Sequence, residues 1–226
     1  MKNHGAVFLV TAAGLLAVIG GGYRLATITA APTVRYEEVA DWPALPAGVQ
    51  MGEAAGVAVD TSGHVFVFHR PGRGFDTAAT ETLKDAPVLE IDADTGRLIR
   101  AWGADTFLVP HGITIDRDDN VFLTDVGLHQ VFKYSHDGRQ IMALGEPRVG
   151  KWDATHFNQP TDVAIRPDGS FYVSDGYVNS RVALFDRNGR WVREWGVCWS
   201  LSASMRTASS MSLRRRRRRV RVHRCK

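Results

Sequence analysis

The sequence predicts an all-β chain built as a β-propeller, and three observations carry that prediction. A short strand, a polar turn and a second strand recur three times: Gly56–Val59 with Val65–Phe68, Gly112–Ile115 with Val121–Thr124, and Asp162–Ile165 with Phe171–Ser174. The copies are offset by 56 residues from Gly56 to Gly112 and by 50 from Gly112 to Asp162. Each copy then adds a second strand pair: Val88–Ile91 with Leu98–Trp102, Val131–Tyr134 with Ile141–Leu144, and Val182–Phe185 with Trp191–Trp195. Four short antiparallel strands per unit, repeated at this period, are the mark of propeller blades, which bury their faces against one another. A β-sandwich would also show short strands, but not this internal self-similarity.

The turns agree with the strands. Asp94-Thr95-Gly96, Asp137-Gly138 and Arg187-Asn188-Gly189 supply the residues that tolerate positive φ in tight hairpins. Each unit closes on a bulky residue plus glycine, at Trp102-Gly103, Leu144-Gly145 and Trp195-Gly196. The domain therefore spans residues 51–196, as about three four-stranded blades.

The flanks differ from this body. An uncharged apolar run, Gly5–Tyr23, follows Lys2, and 1–31 reads either as a cleaved signal peptide or as an N-terminal helical membrane anchor. Both readings place the rest outside the cytoplasm, periplasmic, secreted or membrane-anchored. Residues 32–50, with Pro32, Pro43 and Pro46, read as a linker. Residues 197–226 carry ten of the 28 Lys and Arg, no acid and both cysteines, Cys198 and Cys225. The remaining 18 bases against 24 acids leave the body at −6, so the formal +4 misdescribes it. This tail breaks the repeat at Gly196, and reads as an unstructured segment produced by a frameshift. A basic tail for nucleic acid or anionic lipid is the competing reading, and the acidic body opposes nucleic acid as a partner. With no cysteine in residues 1–197, any metal there needs His and carboxylate ligands.

The copies also disagree in places, and positions that serve packing alone should agree. Ahead of the first strand stand Ala55, His111 and Thr161; the second strand ends in His69-Arg70 in one copy and in Asp125 or Asp175 in the others; Tyr177 stands where the others have Pro71 and Gly127. The innermost strand of a blade lines the central channel, so His111 at its mouth, with Arg70 and Tyr177 at second-strand ends, could share one face. The plainer reading makes His111 a solvated loop residue, Arg70 a surface ion-pair partner and Tyr177 an edge cap. Asp125, Asp162 and Asp175 read as turn residues bonding backbone N–H groups. His64 and His136 read as solvated turn residues, and His129 and His156 fit either a structural or a functional role.

Five stretches in order, Val65–Arg70, Val109–Gly112, Thr124–Lys133, His156–Ala164 and Ser174–Arg181, resemble the peptidyl-α-hydroxyglycine α-amidating lyase domain, a six-bladed propeller of the NHL-repeat type. The resemblance implies a zinc-dependent lyase that splits a hydroxyglycine-extended peptide into a peptide amide and glyoxylate. It makes His111 one of three histidine zinc ligands, Arg70 the active-site arginine and Tyr177 a proposed base. Val57 and Ile113 match positions whose backbone carbonyls hold a structural calcium ion. Asn158 and Val178 stand where animal members pair cysteines. The other two histidines and the calcium-binding aspartate belong to later blades, so the chain as written is expected to be inactive. The expected substrate is a small peptide or another small hydroxylated molecule. A non-catalytic NHL-type binding propeller outside the cytoplasm is the alternative.

Overall fold

The computed structural model describes residues 36–196. The apolar run at 5–23 and the tail after Gly196 lie outside them. No helix among the described residues is long and apolar enough to cross a membrane.

Twelve strands form three four-stranded antiparallel sheets, each in simple up-and-down order. The first sheet holds β1 (Glu53–Val59), β2 (Val65–Arg70), β3 (Val88–Ile91) and β4 (Leu98–Trp102). The second holds β5 (Pro110–Ile115), β6 (Val121–Asp125), β7 (Gln130–Tyr134) and β8 (Gln140–Leu144). The third holds β9 (Pro160–Ile165), β10 (Phe171–Asp175), β11 (Arg181–Phe185) and β12 (Trp191–Gly196). The first strands lie side by side, β1 next to β5 and β5 next to β9. These are blades of a propeller, and each observed strand overlaps the one read from the repeat.

The hairpins explain why the polar turns repeat. Asp60, Asp116 and Asp186 each use Oδ1 to accept the backbone N–H groups two and four residues on, those of Ser62 and His64, Asp118 and Asn120, and Asn188 and Arg190. A carboxylate there closes the turn that a bare backbone would leave to water.

Aromatic side chains fill the space between blades. Phe66, Phe68, Phe107, Phe132 and Tyr134 are buried between the first and second. Phe122, Phe157, Phe171 and Phe185 do the same between the second and third, with ring centroids 5.2–5.6 Å apart. Such offset and edge contacts add to the apolar area removed from water.

The stretch read as a linker is in part structural. Trp42, Leu45, Val49 and Met51 pack on Val67, Leu89 and Ile91, the face of the first blade turned away from the second. The Trp42 indole N–H donates to the Ala93 carbonyl and the Ala44 N–H to Gly96. Proline restricts this segment without preventing it from burying the apolar residues between the prolines. On the far face of the third blade, Val182 and Trp195 remain 40% and 46% exposed.

His69, next to Arg70 on β2, is fully buried, and its Nδ1 accepts the Gly52 N–H at 3.0 Å. Burial pushes its pKa below the ordinary 6.5. The folded state therefore binds fewer protons than the unfolded one below that value, and stability falls as pH drops from about 6.5 toward the lowered folded pKa. The loss is at most about 1.4 kcal/mol per pH unit. Urea unfolding at pH 7.0, 6.0 and 5.5 is expected to show this slope, and His69→Gln to flatten it; an equal slope in the variant would remove His69 as its source.

Candidate active site

The three residues singled out by the disagreeing copies come together. His111 stands at the start of β5, Arg70 at the end of β2, and Tyr177 in the loop from β10 to β11. The Tyr177 hydroxyl lies 3.0 Å from His111 Nε2, and the two rings meet edge to face with centroids 5.4 Å apart. Arg70 approaches from the other side, donating from NH1 to the Pro110 carbonyl at 2.8 Å, one residue before His111.

A network fixes the histidine. His111 Nδ1 is 2.7 Å from the Thr161 carbonyl, which can only accept, so Nδ1 carries a proton and Nε2 is the nitrogen turned to Tyr177. The same carbonyl accepts the Thr124 hydroxyl at 2.9 Å, and Thr124 Oγ1 in turn accepts the Gly112 N–H at 2.8 Å. This ties β5, β6 and β9 together under the imidazole. Glycine at 112 is a requirement of close approach, since a Cβ there would sit 2.5 Å from the Thr161 carbonyl oxygen. Gly112→Ala is thus expected to cost about 1–3 kcal/mol and to disturb the histidine; a thermal melt within about 1 °C of the parent would contradict this.

Asp125 holds the approach to His111. Its fully buried carboxylate accepts the N–H groups of Leu108, Val109, Gly127 and Leu128. In the third blade Asp175 accepts the Asn158 N–H, the Asn179 side-chain amide and, at 2.7 Å, Arg181 Nε. For Asp125 and Asp175, at the ends of β6 and β10, the reading as backbone-bonding residues holds, and Asp175 adds a buried ion pair. Asp162 departs from the turn reading: it lies within β9, where its side chain accepts the adjacent Val163 N–H.

Two members of the cluster have no sequence signal. Phe75 stands among the three, 5.4 Å from the Arg70 guanidinium carbon, 6.2 Å from the His111 ring and 5.6 Å from the Tyr177 ring. It lies in a Gly-rich loop with no counterpart in the other copies, so the repeat comparison is blind to it. Glu53 Oε2 accepts both Arg70 NH2 and the Phe75 N–H, each at 3.1 Å. Arg70 does pair with the exposed Glu53 carboxylate, as its plainer reading holds, but is itself only 8% exposed, with its Nε buried and unpartnered.

Val57 and Ile113 lie on neighbouring innermost strands and line a small open recess with Gly56, Gly112, Thr161 and Asp162. His129 accepts the Gln159 N–H, and His156 is paired with Asp153 and Glu146, which raise its pKa. Both serve the fold. His64 and His136 contradict their reading as solvated: each is only about a third exposed, facing buried Asp60 and Glu90.

No family model matches the chain. It is 36% identical over 176 residues to peptidyl-glycine alpha-amidating monooxygenase B of Xenopus laevis, covering 72% of this chain and 20% of that protein. To peptidyl-alpha-hydroxyglycine alpha-amidating lyase 1 of Drosophila melanogaster it is 34% identical over 172 residues, 69% of this chain and 31% of the other. A probable lyase of the same kind in Caenorhabditis elegans is 41% identical over 150 residues, 62% of this chain and 43% of that one. The chain belongs to the peptidyl-α-hydroxyglycine α-amidating lyase family. It spans less than half the length of these relatives. The described blades carry the Arg70, His111 and Tyr177 cluster. A solved streptogramin B lyase structure superposes with a TM-score of 0.47 at 12% identity, over 66% of this chain and 42% of that one.

Proposed function

We propose that Arg70, His111 and Tyr177 are part of an active site that cleaves a peptidyl-α-hydroxyglycine to a peptide amide and glyoxylate. The observation that carries this is the Tyr177 hydroxyl 3.0 Å from His111 Nε2, with the histidine's other nitrogen held by the Thr161 carbonyl. An imidazole held in orientation suits metal ligation through Nε2, and a metal taking that lone pair would leave the neighbouring tyrosine hydroxyl free for proton transfer.

The donor set fits zinc in part. His111 has its Nδ1 hydrogen-bonded to a carbonyl, the arrangement usual for a histidine that ligates through Nε2. Catalytic zinc generally takes three protein ligands; the described residues bring one histidine to this place, so the site needs ligands from beyond them. Zinc, when bound, supplies Lewis-acid polarisation of the substrate hydroxyl. Tyr177, in its phenolate form, receives that hydroxyl's proton. The C–N bond breaks as the carbon–oxygen double bond of glyoxylate forms, and the departing nitrogen takes a proton to become the amide. Arg70 supplies positive charge beside Phe75, suited to attracting the substrate carboxylate.

The carbonyls of Val57 and Ile113 are assigned to a structural calcium ion, a role suited to oxygen donors, although calcium takes six to eight of them. Action outside the cytoplasm is part of the same proposal and rests on the sequence of residues 1–31. Anchoring through residues 5–23 is one form of it.

The test is glyoxylate release from a hydroxyglycine-extended peptide with added zinc. The chain by itself is expected to release none above background. A hybrid in which residues 51–196 replace the matching part of the Caenorhabditis elegans relative is expected to release it. A folded hybrid that binds the peptide without releasing glyoxylate would favour the binding-propeller alternative.

A further inference from the structure

At the other end of the blades lies a second cluster that the amidating reaction does not use. Asp60 follows β1, His64 precedes β2, Glu90 is on β3, and His136 comes from the turn after β7 in the second blade. The seven residues of β1 separate this end from Glu53 and Arg70, about 20 Å at ~3.3 Å per residue. One ligand-type atom from each of the four residues lies within 4.8 Å of all the others.

Each ring nitrogen approaches both carboxylates, so the four atoms close a ring around one small volume. His64 Nδ1 is 3.1 Å from Asp60 Oδ2 and 3.2 Å from Glu90 Oε1; His136 Nε2 is 2.9 Å and 3.6 Å from the same two oxygens. A tetrahedral ion with bonds of ~2.0–2.1 Å to nitrogen and oxygen sets its ligand atoms roughly 3.3 Å apart. The carboxylates are almost wholly buried, Asp60 at 0% and Glu90 at 1% side-chain exposure, and two negative charges this close need positive charge between them. Protons on the histidines are one source. Yet each ring nitrogen faces two carboxylate oxygens at once, and a single N–H serves only one well. Glu90 Oε2 is also left without a hydrogen-bond partner; Arg100 Nε stops 3.7 Å away.

The surroundings hold the ligands in place. Asp60 Oδ1 is occupied by the N–H groups of Ser62 and His64, which leaves Oδ2 for the cluster. The His136 ring stands edge-on to buried Phe66 at 5.3 Å, and its backbone carbonyl accepts Arg100 NH1.

We propose that Asp60, His64, Glu90 and His136 form a binding site for a divalent first-row transition ion, zinc by preference, that joins the first blade to the second. Two imidazoles and two carboxylates suit zinc, cobalt or iron. Calcium would need more oxygen donors than these four residues provide. Three ligands come from one blade and the fourth from the next, so the ion acts as a staple across the apolar interface between them.

The test uses the full-length, metal-stripped chain titrated with cobalt(II), then zinc. One equivalent of cobalt is expected to give the intense visible absorption of a four-coordinate site, bleached by zinc. Saturating zinc is expected to raise the melting temperature by more than about 5 °C, because the ion binds only the folded state. His136→Gln and His64→Gln, both at partly exposed positions, are each expected to weaken binding at least about tenfold. His111→Ala is expected to leave the cobalt spectrum unchanged, which places the ion away from the candidate active site. A cobalt spectrum that survives both glutamine changes together overturns the proposal. So does a chain that binds no stoichiometric metal, or one whose His64 and His136 rings are doubly protonated by NMR at neutral pH and unmoved by zinc.

Discussion

Asp125→Ala is expected to remove about 4 kcal/mol or more of folding stability, among the largest effects of any single change in the described blades. The carboxylate is fully buried and accepts four backbone N–H groups, from Leu108 and Val109 ahead of β5 and from Gly127 and Leu128 after β6. Alanine leaves those donors facing an apolar pocket lined by residues such as Val126 and Leu128. Each unpaired buried N–H costs roughly 1–3 kcal/mol, reduced where the backbone relaxes or water enters. Asp125→Asn keeps one acceptor oxygen and turns an NH2 toward donors, so it should fall between parent and alanine. Urea unfolding measures both. A loss under about 1 kcal/mol for alanine would mean that the turn holds itself without the carboxylate. Since Val109 is two residues from His111, the alanine variant should also broaden the His111 imidazole signals in NMR spectra.

Arg181→Met is the second large effect. Arg181 is buried on β11, with Nε 2.7 Å from Asp175 Oδ2 and NH1 2.5 Å from Glu194 Oε2. It also donates to the carbonyls of Asp153 and His156, which closes the loop before β9 onto the third blade. Methionine matches much of the volume but none of the charge, and it strands the wholly buried Asp175 carboxylate. Removing one partner of a buried pair costs about 3–5 kcal/mol, largely from the charge left behind. The double change Arg181→Met with Asp175→Asn should recover part of that loss, and a double-mutant cycle by urea unfolding reads the coupling. Strictly additive losses would refute the ion pair as the source.

The repeat made most of the fold legible. Strand alternation and Gly-bearing turns locate all twelve strands because each strand buries one face against a neighbouring blade, and the pattern records that burial. The same logic found Arg70, His111 and Tyr177 as departures from the repeat, and the three do share one cluster. It could not find Phe75, which sits in an insertion with nothing to be compared against, or Glu53, whose place beside Arg70 comes from the register of β1 on β2. Nor could it find the Asp60–His64–Glu90–His136 cluster. His64 and His136 stand 72 residues apart in turns of successive blades, and a turn histidine looks solvated until packing sets it against a buried carboxylate. In the segment ahead of β1 the prolines signal irregular backbone, whereas Trp42, Leu45 and Val49 decide where it packs.

The central claim is that His111 and Tyr177 act on a hydroxyglycine substrate as one unit. Its most direct test is the rate of glyoxylate release by the hybrid carrying residues 51–196, compared with its Tyr177→Phe and His111→Ala forms. Phenylalanine keeps the ring against Phe75 and His111 and removes only the proton-carrying oxygen. The account predicts a fall of about 10²-fold or more in kcat for Tyr177→Phe, with zinc content unchanged, and loss of both activity and zinc for His111→Ala. Equal rates in the parent and the phenylalanine form, or full zinc retention and activity without His111, would contradict it.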